Sequence, residues 1–241
     1  MSKLHPADYM TLAMARLLRD KEIVFHGVAS PMPMVATLIA RKMHAPDLVY
    51  LSIAGGVDAY PERLPCETTT DYCLLEKAVA FFPLMEIFDL SARGKLDTAF
   101  LGGVQIDMYG RTNLSVIGEF SRPKVRLPGG AGSAVVMPTA KKTILWRTKH
   151  DTSSFVAKLP FVTASGNSEY AISPLCIFKK SEGKLKLWRW FEDATLQQIK
   201  ENTGFLVELT EDAQKFETPS DIELSLLKEI DPHGVRYREF T

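Results

Sequence analysis

The sequence predicts an α/β protein built on an open, mostly parallel sheet that is flanked by helices, with a C-terminal hairpin and further helices. Amphipathic helical segments alternate with short apolar strands through the first hundred residues, an order typical of parallel sheets covered by helices. Glycines follow three of the predicted strands, at Gly27, Gly55 and Gly102, where the chain turns. With 241 residues, 46% of them apolar, the chain can bury one large core, and we predict a single domain over residues 1–241.

The helices are predicted from apolar residues at helical spacing and from capping residues. The first carries an apolar stripe from Met10 to Leu18 and begins after Pro6. The last has Ser220 as its expected N-cap. That last helix covers residues 219–230, and the other predicted helices cover residues 34–42, 71–82 and 195–204.

The strands are predicted from short apolar runs bounded by turn residues. Two of these runs flank Ser181-Glu182-Gly183, a sequence that predicts a hairpin. The predicted strands cover residues 22–26, 48–52, 98–101, 142–146, 172–179, 184–191 and 205–209.

Composition and charge exclude several classes of function. Basic and acidic residues number 29 each, so no net field attracts nucleic acid or an anionic membrane. No apolar run reaches the ~18 residues of a membrane span, and the N-terminus lacks the pattern of a signal peptide. Cys66, Cys73 and Cys176 form no CxxC pair, which predicts reduced thiols and neither a disulfide nor a zinc site. We therefore expect a cytoplasmic protein that binds no metal, nucleic acid or membrane.

The candidate binding residues lie mostly in the glycine-rich segment 100–132. Glycine lets backbone N–H groups approach a ligand closely and stabilise an oxyanion or a phosphate. The alternative is a packing role, in turns that need a positive φ. The glycines concerned are Gly102, Gly103, Gly129, Gly130 and Gly132.

Polar side chains near these turns have two interpretations each. Gln105 and Asn113 suit hydrogen bonds to a carbonyl or carboxylate of a ligand, and equally suit capping of the loop itself. His26 lies at a strand end, where a proton carrier would be useful, but a core histidine with both nitrogens bonded is the favoured interpretation.

Three cations alternate along one extended stretch. Arg122, Lys124 and Arg126 therefore share one face of a strand. They suit a phosphate or a substrate carboxylate, and they equally suit a solvated or subunit-facing edge.

The same segment resembles the B subunits of family I coenzyme A transferases, especially the glutaconate CoA-transferase type. It carries a version of GG-x-Q-I-D-x-YG-x-x-N, then an Ile-Gly turn, a Pro-Lys pair and a glycine-rich run. Further matches at residues 45–47, 201–205 and 229–232 extend the resemblance over nearly the whole chain. The matching residues of the central segment are Gly102, Gly103, Gln105, Ile106, Asp107, Tyr109, Gly110, Asn113, Ile117, Gly118, Pro123, Lys124, Gly129 and Gly130.

The resemblance implies an open sheet of the CoA-transferase/NagB type and a partner of similar fold, the A subunit, in an α2β2 or larger heteromer. It implies a short dicarboxylic or enoyl-CoA thioester as substrate, with no cofactor other than the coenzyme A of that substrate. The acyl-CoA would be bound by Gly27 and Gly55 at the strand ends and by the candidate residues of the segment 100–132.

One position departs from the family pattern. In the transferases a glutamate after the second strand attacks the thioester and carries the CoA as a glutamyl thioester. Counted forward from residues 45–47 and backward from Asp58, this glutamate falls on Ile53, which cannot be a nucleophile. A shift by one residue places Ser52 there, a poor nucleophile without a base. The departure resembles relatives that lack the glutamate, some of which decarboxylate glutaconyl-type CoA esters while others hydrolyse C–C bonds in CoA-linked rings.

We therefore predict decarboxylase- or hydrolase-type chemistry, with decarboxylation of a glutaconyl-like CoA ester preferred. One alternative is a true CoA-transferase whose carboxylate comes from Asp58, Glu62 or the partner subunit. The other is a non-catalytic, CoA-binding subunit whose partner holds all the catalytic residues.

Overall fold

The structure is a computed structural model that describes residues 3–59, 64 and 68–240, without the side chain of Cys73. The chain forms two compact units. The first runs to Phe100 and resumes at Thr218, and the second is Leu101–Glu217. The prediction of one domain over residues 1–241 stays a prediction.

Helices and strands alternate along the described ranges. The helices are α1 (Pro6–Arg16), α2 (Pro31–Met43), α3 (Met85–Ala92), α4 (Ser133–Thr139), α5 (Leu196–Asn202) and α6 (Asp221–Ile230), with 3₁₀ turns at Tyr72–Leu74 and Val235–Phe240. The strands are β1 (Ile23–His26), β2 (Val49–Leu51), β3 (Gly56–Val57), β4 (Ala80–Phe81), β5 (Thr98–Gly102), β6 (Gln105–Asp107), β7 (Thr112–Asn113), β8 (Val116–Gly118), β9 (Pro123–Arg126), β10 (Lys142–Trp146), β11 (Phe155–Val156), β12 (Ser168–Ile172), β13 (Cys176–Ser181), β14 (Lys184–Trp190) and β15 (Leu209–Lys215).

In the first unit the strand order is β5-β1-β2-β3-β4. The strand β1 pairs in parallel with β5 and with β2, whereas β3 and β4 are antiparallel additions. Neighbouring parallel strands end at the same edge of a sheet, so His26 and Leu51 finish their strands side by side. The helices α1 and α2 pack together through fully buried side chains such as Met10 and Leu38.

The C-terminal segment is tied to the first unit by charged side chains. Arg236 is buried and donates to Asp8 (2.7 Å) and to Asp231 (2.7 Å). Arg16 on α1 donates two hydrogen bonds to the Glu223 carboxylate on α6, one from Nε (2.6 Å) and one from Nη2 (2.7 Å). Bidentate arginine–carboxylate pairs fix orientation as well as distance, which holds α6 against α1.

In the second unit the strand order is β15-β14-β13-β12-β10. Pairing is parallel between β10 and β12 and between β14 and β15, and antiparallel through the β12-β13-β14 meander. Two smaller sheets, β11-β6-β7 and β8-β9, accompany it. The core of this unit contains Phe155, Phe178, Leu187 and Ile199.

The α/β class and several elements are confirmed. The strand β10 has the predicted bounds, and α5 and α6 begin at the expected caps, Thr195 and Ser220. The hairpin turn between β13 and β14 is formed by Glu182 and Gly183, both with positive φ, as a two-residue hairpin loop requires. The predicted strand over residues 172–179 merges the end of β12 with most of β13.

The predicted helix over residues 71–82 is wrong. Lys77 adopts a left-handed φ of +59°, which interrupts helical hydrogen bonding. The Val79 N–H then donates to the Val57 carbonyl (3.0 Å), and the chain continues as β4. The helix of this region is α3, which follows Pro83.

The predicted strand over residues 205–209 is also wrong. Phe205 and Val207 are buried in the core of the second unit, but they belong to an irregular extended segment. The strand is β15, which begins at Leu209 and is largely exposed and polar. The apolar residues Phe205 and Val207 therefore indicated burial correctly. The strand itself, β15, has mostly polar side chains and was not visible as an apolar run.

Candidate functional site

The end of β1 in the first unit holds a fully buried histidine, His26, with a partner on each ring nitrogen. Its Nδ1 lies 3.1 Å from the Gly27 carbonyl oxygen and its Nε2 lies 2.6 Å from the Tyr50 hydroxyl. Because a carbonyl only accepts, Nδ1 carries the proton, and Nε2 accepts from the Tyr50 O–H. These contacts agree with the favoured interpretation of a core histidine.

Burial keeps both members of this pair neutral. Burial lowers the pKa of His26 to about 4, and it raises the pKa of Tyr50 well above the usual value for a phenol. Neither group changes charge near neutral pH. The pair therefore joins the Gly27 carbonyl to Tyr50 at the ends of β1 and β2.

After β2 the chain makes a tight turn that contains Ser52 and Ile53. The Ser52 backbone donates to the Gly56 carbonyl (3.0 Å), and the Gly55 N–H donates to the Ser52 carbonyl (2.9 Å). The buried Ser52 hydroxyl accepts from the Gly56 N–H (3.1 Å) and donates to the Leu74 carbonyl (3.4 Å). Its proton is thus directed at a backbone oxygen and not at a base, an arrangement that does not activate serine.

Ile53 lies half-buried in this turn, between Ser52 and the β3 strand. Its place as the counterpart of the transferase glutamate stays a prediction. Gly55, two residues on, has a structural reason to be glycine. Its φ is +98°, and a Cβ there would lie 2.8 Å from the Phe82 carbonyl oxygen.

The acidic side chain nearest to this turn in sequence is already bound. The Asp58 carboxylate accepts from Arg41 (3.1 Å) and from the Tyr50 N–H (2.8 Å). These contacts tie the residue that follows β3 to β2 and α2, which gives Asp58 a structural role. Glu62, the other candidate carboxylate, lies outside the described residues.

Gly27 differs from Gly55 because nothing in the described chain requires a glycine there. A Cβ at Gly27 would meet no described atom within 4 Å, and its φ is not in the left-handed region. In the second unit, a Cβ at Gly102 would make only ordinary contacts with Trp146 (3.8 Å). At these two positions packing leaves room for close approach of a ligand, whereas at Gly103 a Cβ would lie 2.9 Å from Ile106.

Gln105 and Asn113 face each other across the β6-β7 pair in the second unit. The buried Asn113 amide donates to Gln105 Oε1 (2.8 Å) and to the Val116 carbonyl (2.6 Å). Its oxygen accepts from the Ser115 N–H (3.0 Å). The half-buried Gln105 donates in turn to the Ser153 carbonyl (3.1 Å). These contacts organise the loop, and the ligand-binding role of both residues stays a prediction.

The second glycine turn, which contains Gly129 and Gly130, is joined by hydrogen bonds to the segment that follows β7. The Gly129 N–H donates to the Leu114 carbonyl (2.7 Å), so that N–H is not available to an oxyanion in this arrangement. The Leu114 N–H donates to Thr163 Oγ1 (2.8 Å), and the Ser133 hydroxyl donates to the Gly130 carbonyl (2.6 Å). The structure therefore brings Gln105, Asn113, Gly129 and Gly130 into one linked region. Gly132 precedes the short helix α4 as its N-cap residue.

A half-buried histidine, His150, was not predicted from the sequence. Its Nδ1 lies 2.6 Å from Ser173 Oγ, and its Nε2 lies 3.0 Å from Thr203 Oγ1. The Thr203 hydroxyl donates to the Ile199 carbonyl (2.7 Å), so it accepts from Nε2–H of the histidine. Burial lowers the pKa of His150 to about 4. The parallel neighbours β10 and β12 bring His150 and Ser173 together, and the pairing was not visible because β12 was not predicted as a separate strand.

The chain belongs to the coenzyme A transferase family, whose family model matches residues 7–175. It is 32% identical to the B subunit of the 3-oxoadipate CoA-transferase of Pseudomonas knackmussii, over 96% of this chain and 95% of that one. It is 24% identical to the B subunit of the glutaconate CoA-transferase of Acidaminococcus fermentans, over 93% and 92% of the two chains. The family predicted from the glycine-rich segment is confirmed.

The fold is likewise that of a known structure. The crystal structure of the decarboxylase AibA/AibB superimposes with a TM-score of 0.90, at 29% identity and over 98% of each chain. Across residues 3–59, 64 and 68–240, no helix is long and apolar enough to cross a bilayer. The same ranges hold no group of three or more His, Cys, Asp or Glu placed for a metal ion.

Proposed function

We propose that this chain is the B subunit of a heteromeric enzyme that decarboxylates a glutaconyl-like CoA thioester, together with an A subunit. The single observation behind the reaction type is the residue at position 53. Ile53 is predicted to stand where a transferase needs a carboxylate, and the Ser52 and Asp58 side chains both form hydrogen bonds within the fold. A transfer reaction through a glutamyl thioester has no nucleophile in this turn.

Decarboxylation needs no nucleophile on the enzyme. The bond to the distal carboxylate breaks, CO₂ leaves, and the electron pair passes through the double bond to the thioester oxygen. A proton then completes the crotonyl product. The protein must hold the carboxylate in an apolar setting, which favours loss of its charge, and must place donors at the developing enolate oxygen. Ile53 suits the first task, and backbone N–H groups near Gly27 suit the second.

The relatives support this choice in part. The AibA/AibB structure is that of a decarboxylase and matches over nearly the full chain. Other relatives are B subunits of the 3-oxoadipate and glutaconate CoA-transferases. The proposal therefore depends on the departure at Ile53 and not on similarity alone.

Product analysis by mass spectrometry tests the reaction. Glutaconyl-CoA and methylglutaconyl-CoA are incubated with the co-expressed A and B chains, with and without acetate. We expect loss of a mass equal to that of CO₂ in both conditions. Formation of acetyl-CoA that depends on acetate would contradict the proposal.

The second candidate is a true CoA-transferase, and the 32% identity to the 3-oxoadipate enzyme favours it. Its carboxylate would come from Glu62 or from the partner subunit. Such an enzyme forms a thioester on its own carboxylate, which hydroxylamine or borohydride traps. Peptide mapping after trapping would identify the residue, and a labelled B-chain glutamate would establish transfer.

A further inference from the structure

The hairpin β8-β9 of the second unit carries a row of cations on one face. The register pairs Val116 with Arg126 and Gly118 with Pro123. Alternate residues of a strand point to the same side, so Lys124 and Arg126 share a face of β9, and Arg122 continues the alternation. All three side chains are exposed.

Arg122 and Lys124 differ from several other cations of the chain in their lack of an acidic partner among the described residues. Arg41, Lys42 and Lys149 each have an acidic partner within 3.1 Å. In the described part of the chain, the side chains of Arg122 and Lys124 have no ion-pair or hydrogen-bond partner. The hairpin therefore presents positive charge to solvent although the whole chain has no net charge.

The third cation lies on an aromatic pair. Phe120 stacks on Phe161 with ring centroids 4.5 Å apart and planes inclined by 20°. The Arg126 guanidinium lies 5.1 Å from the centre of the Phe120 ring, and its Nη2 donates to the Phe120 carbonyl (3.4 Å). Phe120 is 51% exposed. Flat aromatic and guanidinium surfaces beside free cations suit a group that is both aromatic and phosphorylated.

The hairpin is continuous with the second glycine turn. Beyond Arg126, the Leu127 N–H donates to the Ser115 carbonyl (2.9 Å) and the Gly129 N–H donates to the Leu114 carbonyl (2.7 Å). At about 3.3 Å per residue, Lys124 lies about 17 Å and Arg122 about 23 Å along the extended chain from Gly129. A ligand that extends over both the hairpin and the Gly129 turn must be long and extended.

We propose that the hairpin binds the 3′-phosphorylated ADP end of the CoA thioester, with Arg122 and Lys124 on its phosphates and the Phe120–Arg126 surface beside its adenine. The proposal rests on the proposed function only in taking an acyl-CoA as the substrate. Phosphates gain strong, charge-assisted hydrogen bonds from arginine and lysine, while the pantetheine arm offers no charge to bind. The hairpin therefore contributes to the affinity for the coenzyme A part of the substrate and does not take part in the chemical step.

The test compares three forms of one thioester, the esters of CoA, of dephospho-CoA and of pantetheine. The A/B complex is measured with wild-type B, with R122Q/K124Q and with K200Q, a matched control on the exposed face of α5. For the CoA ester we expect R122Q/K124Q to raise KM about tenfold while kcat changes by less than about twofold. The pantetheine ester should be unaffected by either variant, and K200Q should match wild type throughout.

An equal loss with all three esters, or an unchanged KM for the CoA ester, would overturn the proposal. Dissociation of the A/B complex in R122Q/K124Q, seen by size-exclusion chromatography, would identify the hairpin as a subunit contact and overturn it as well. If the double variant does not fold, R122Q alone is measured in the same way.

Calorimetric titration with CoA itself separates this proposal from the proposed function. CoA binding that is weakened in R122Q/K124Q, in a complex that decarboxylates nothing, would support the hairpin and reject only the reaction. Decarboxylation with unchanged CoA affinity in the variant would support the reaction and reject only the hairpin.

Discussion

At position 53 the chain has an isoleucine, which we predict to be the counterpart of the transferase glutamate, and the side chains of Ser52 and Asp58 beside it are bound within the fold. The Ser52 proton points to a backbone oxygen, and the Asp58 carboxylate is held by Arg41. The departure at Ile53 was predicted by counting along the sequence, and it stays a prediction. Counting did not reveal that Ser52 and Asp58 are engaged, because those contacts depend on the return of the chain through Gly56 and on a side chain from α2.

The first prediction concerns Ile53→Glu. A carboxylate at this half-buried position repels the substrate carboxylate and removes its apolar setting, so we expect the decarboxylation rate to fall at least about tenfold. Ile53→Val keeps the apolar character and should stay within about threefold of wild type. Rates are followed by the crotonyl product. An undiminished rate in Ile53→Glu would show that position 53 does not face the substrate.

The second prediction separates two glycines at strand ends. Gly55→Ala forces a Cβ against the Phe82 carbonyl at a φ of +98°, and should cost on the order of 1–3 kcal/mol in the free energy of unfolding. Gly27→Ala meets no such obstacle and should change that free energy by less than about 0.5 kcal/mol while lowering kcat. Urea unfolding and turnover are measured on the same preparations. Full activity in Gly27→Ala would argue against ligand approach at Gly27.

At the scale of elements, the predictable ones were those whose own residues specify them. The helix α6 carries its capping box, and the β13-β14 turn carries its glycine. The predictions of a helix over residues 71–82 and of a strand over 205–209 were wrong. The positions of apolar side chains in these two segments are set by the surrounding tertiary structure and not by the period of a helix or strand. The small strands β6 to β9, which hold most of the candidate binding residues, are too short to leave a pattern.

The third prediction tests the helix cap. The Ser220 hydroxyl accepts from the Glu223 N–H, and the Glu223 carboxylate accepts from the Ser220 N–H (2.7 Å). Loss of such a cap in Ser220→Ala should lower the free energy of unfolding by about 1 kcal/mol. Ser165→Ala, at an exposed loop position, is the control and should have no measurable effect. Equal stability of the two variants in urea titrations would contradict the assigned role of the cap.

At the scale of the whole molecule, each of the two compact units contains a histidine whose pKa is lowered by burial, His26 in the first and the half-buried His150 in the second. Burial lowers the pKa of both His26 and His150 to about 4, from an ordinary value of 6.5. Above pH 6.5 the histidines are neutral in the folded and the unfolded chain. Below it the unfolded chain takes up protons that the folded chain does not, so stability is lost as the pH falls toward 4.

The fourth prediction follows from this loss of stability at low pH. Since one pKa unit corresponds to about 1.4 kcal/mol, each histidine should cost on the order of 3 kcal/mol of stability at pH 4. Urea midpoints between pH 7.5 and 4.5 should fall steadily below pH 6.5. In His150→Gln, which removes one titrating group, the decline should be shallower even though the starting stability is lower. A slope equal to that of wild type would contradict the assignment.

We propose that this member of the coenzyme A transferase family, with Ile53 at the predicted position of the transferase carboxylate, decarboxylates its substrate without an acceptor. The most direct measurement is release of labelled CO₂ from glutaconyl-CoA that carries ¹³C in its distal carboxylate, using the A/B complex in the absence of any free carboxylic acid. We expect stoichiometric ¹³CO₂ and an unlabelled crotonyl product. Retention of the label in the thioester, with exchange of CoA only after acetate is added, would contradict it.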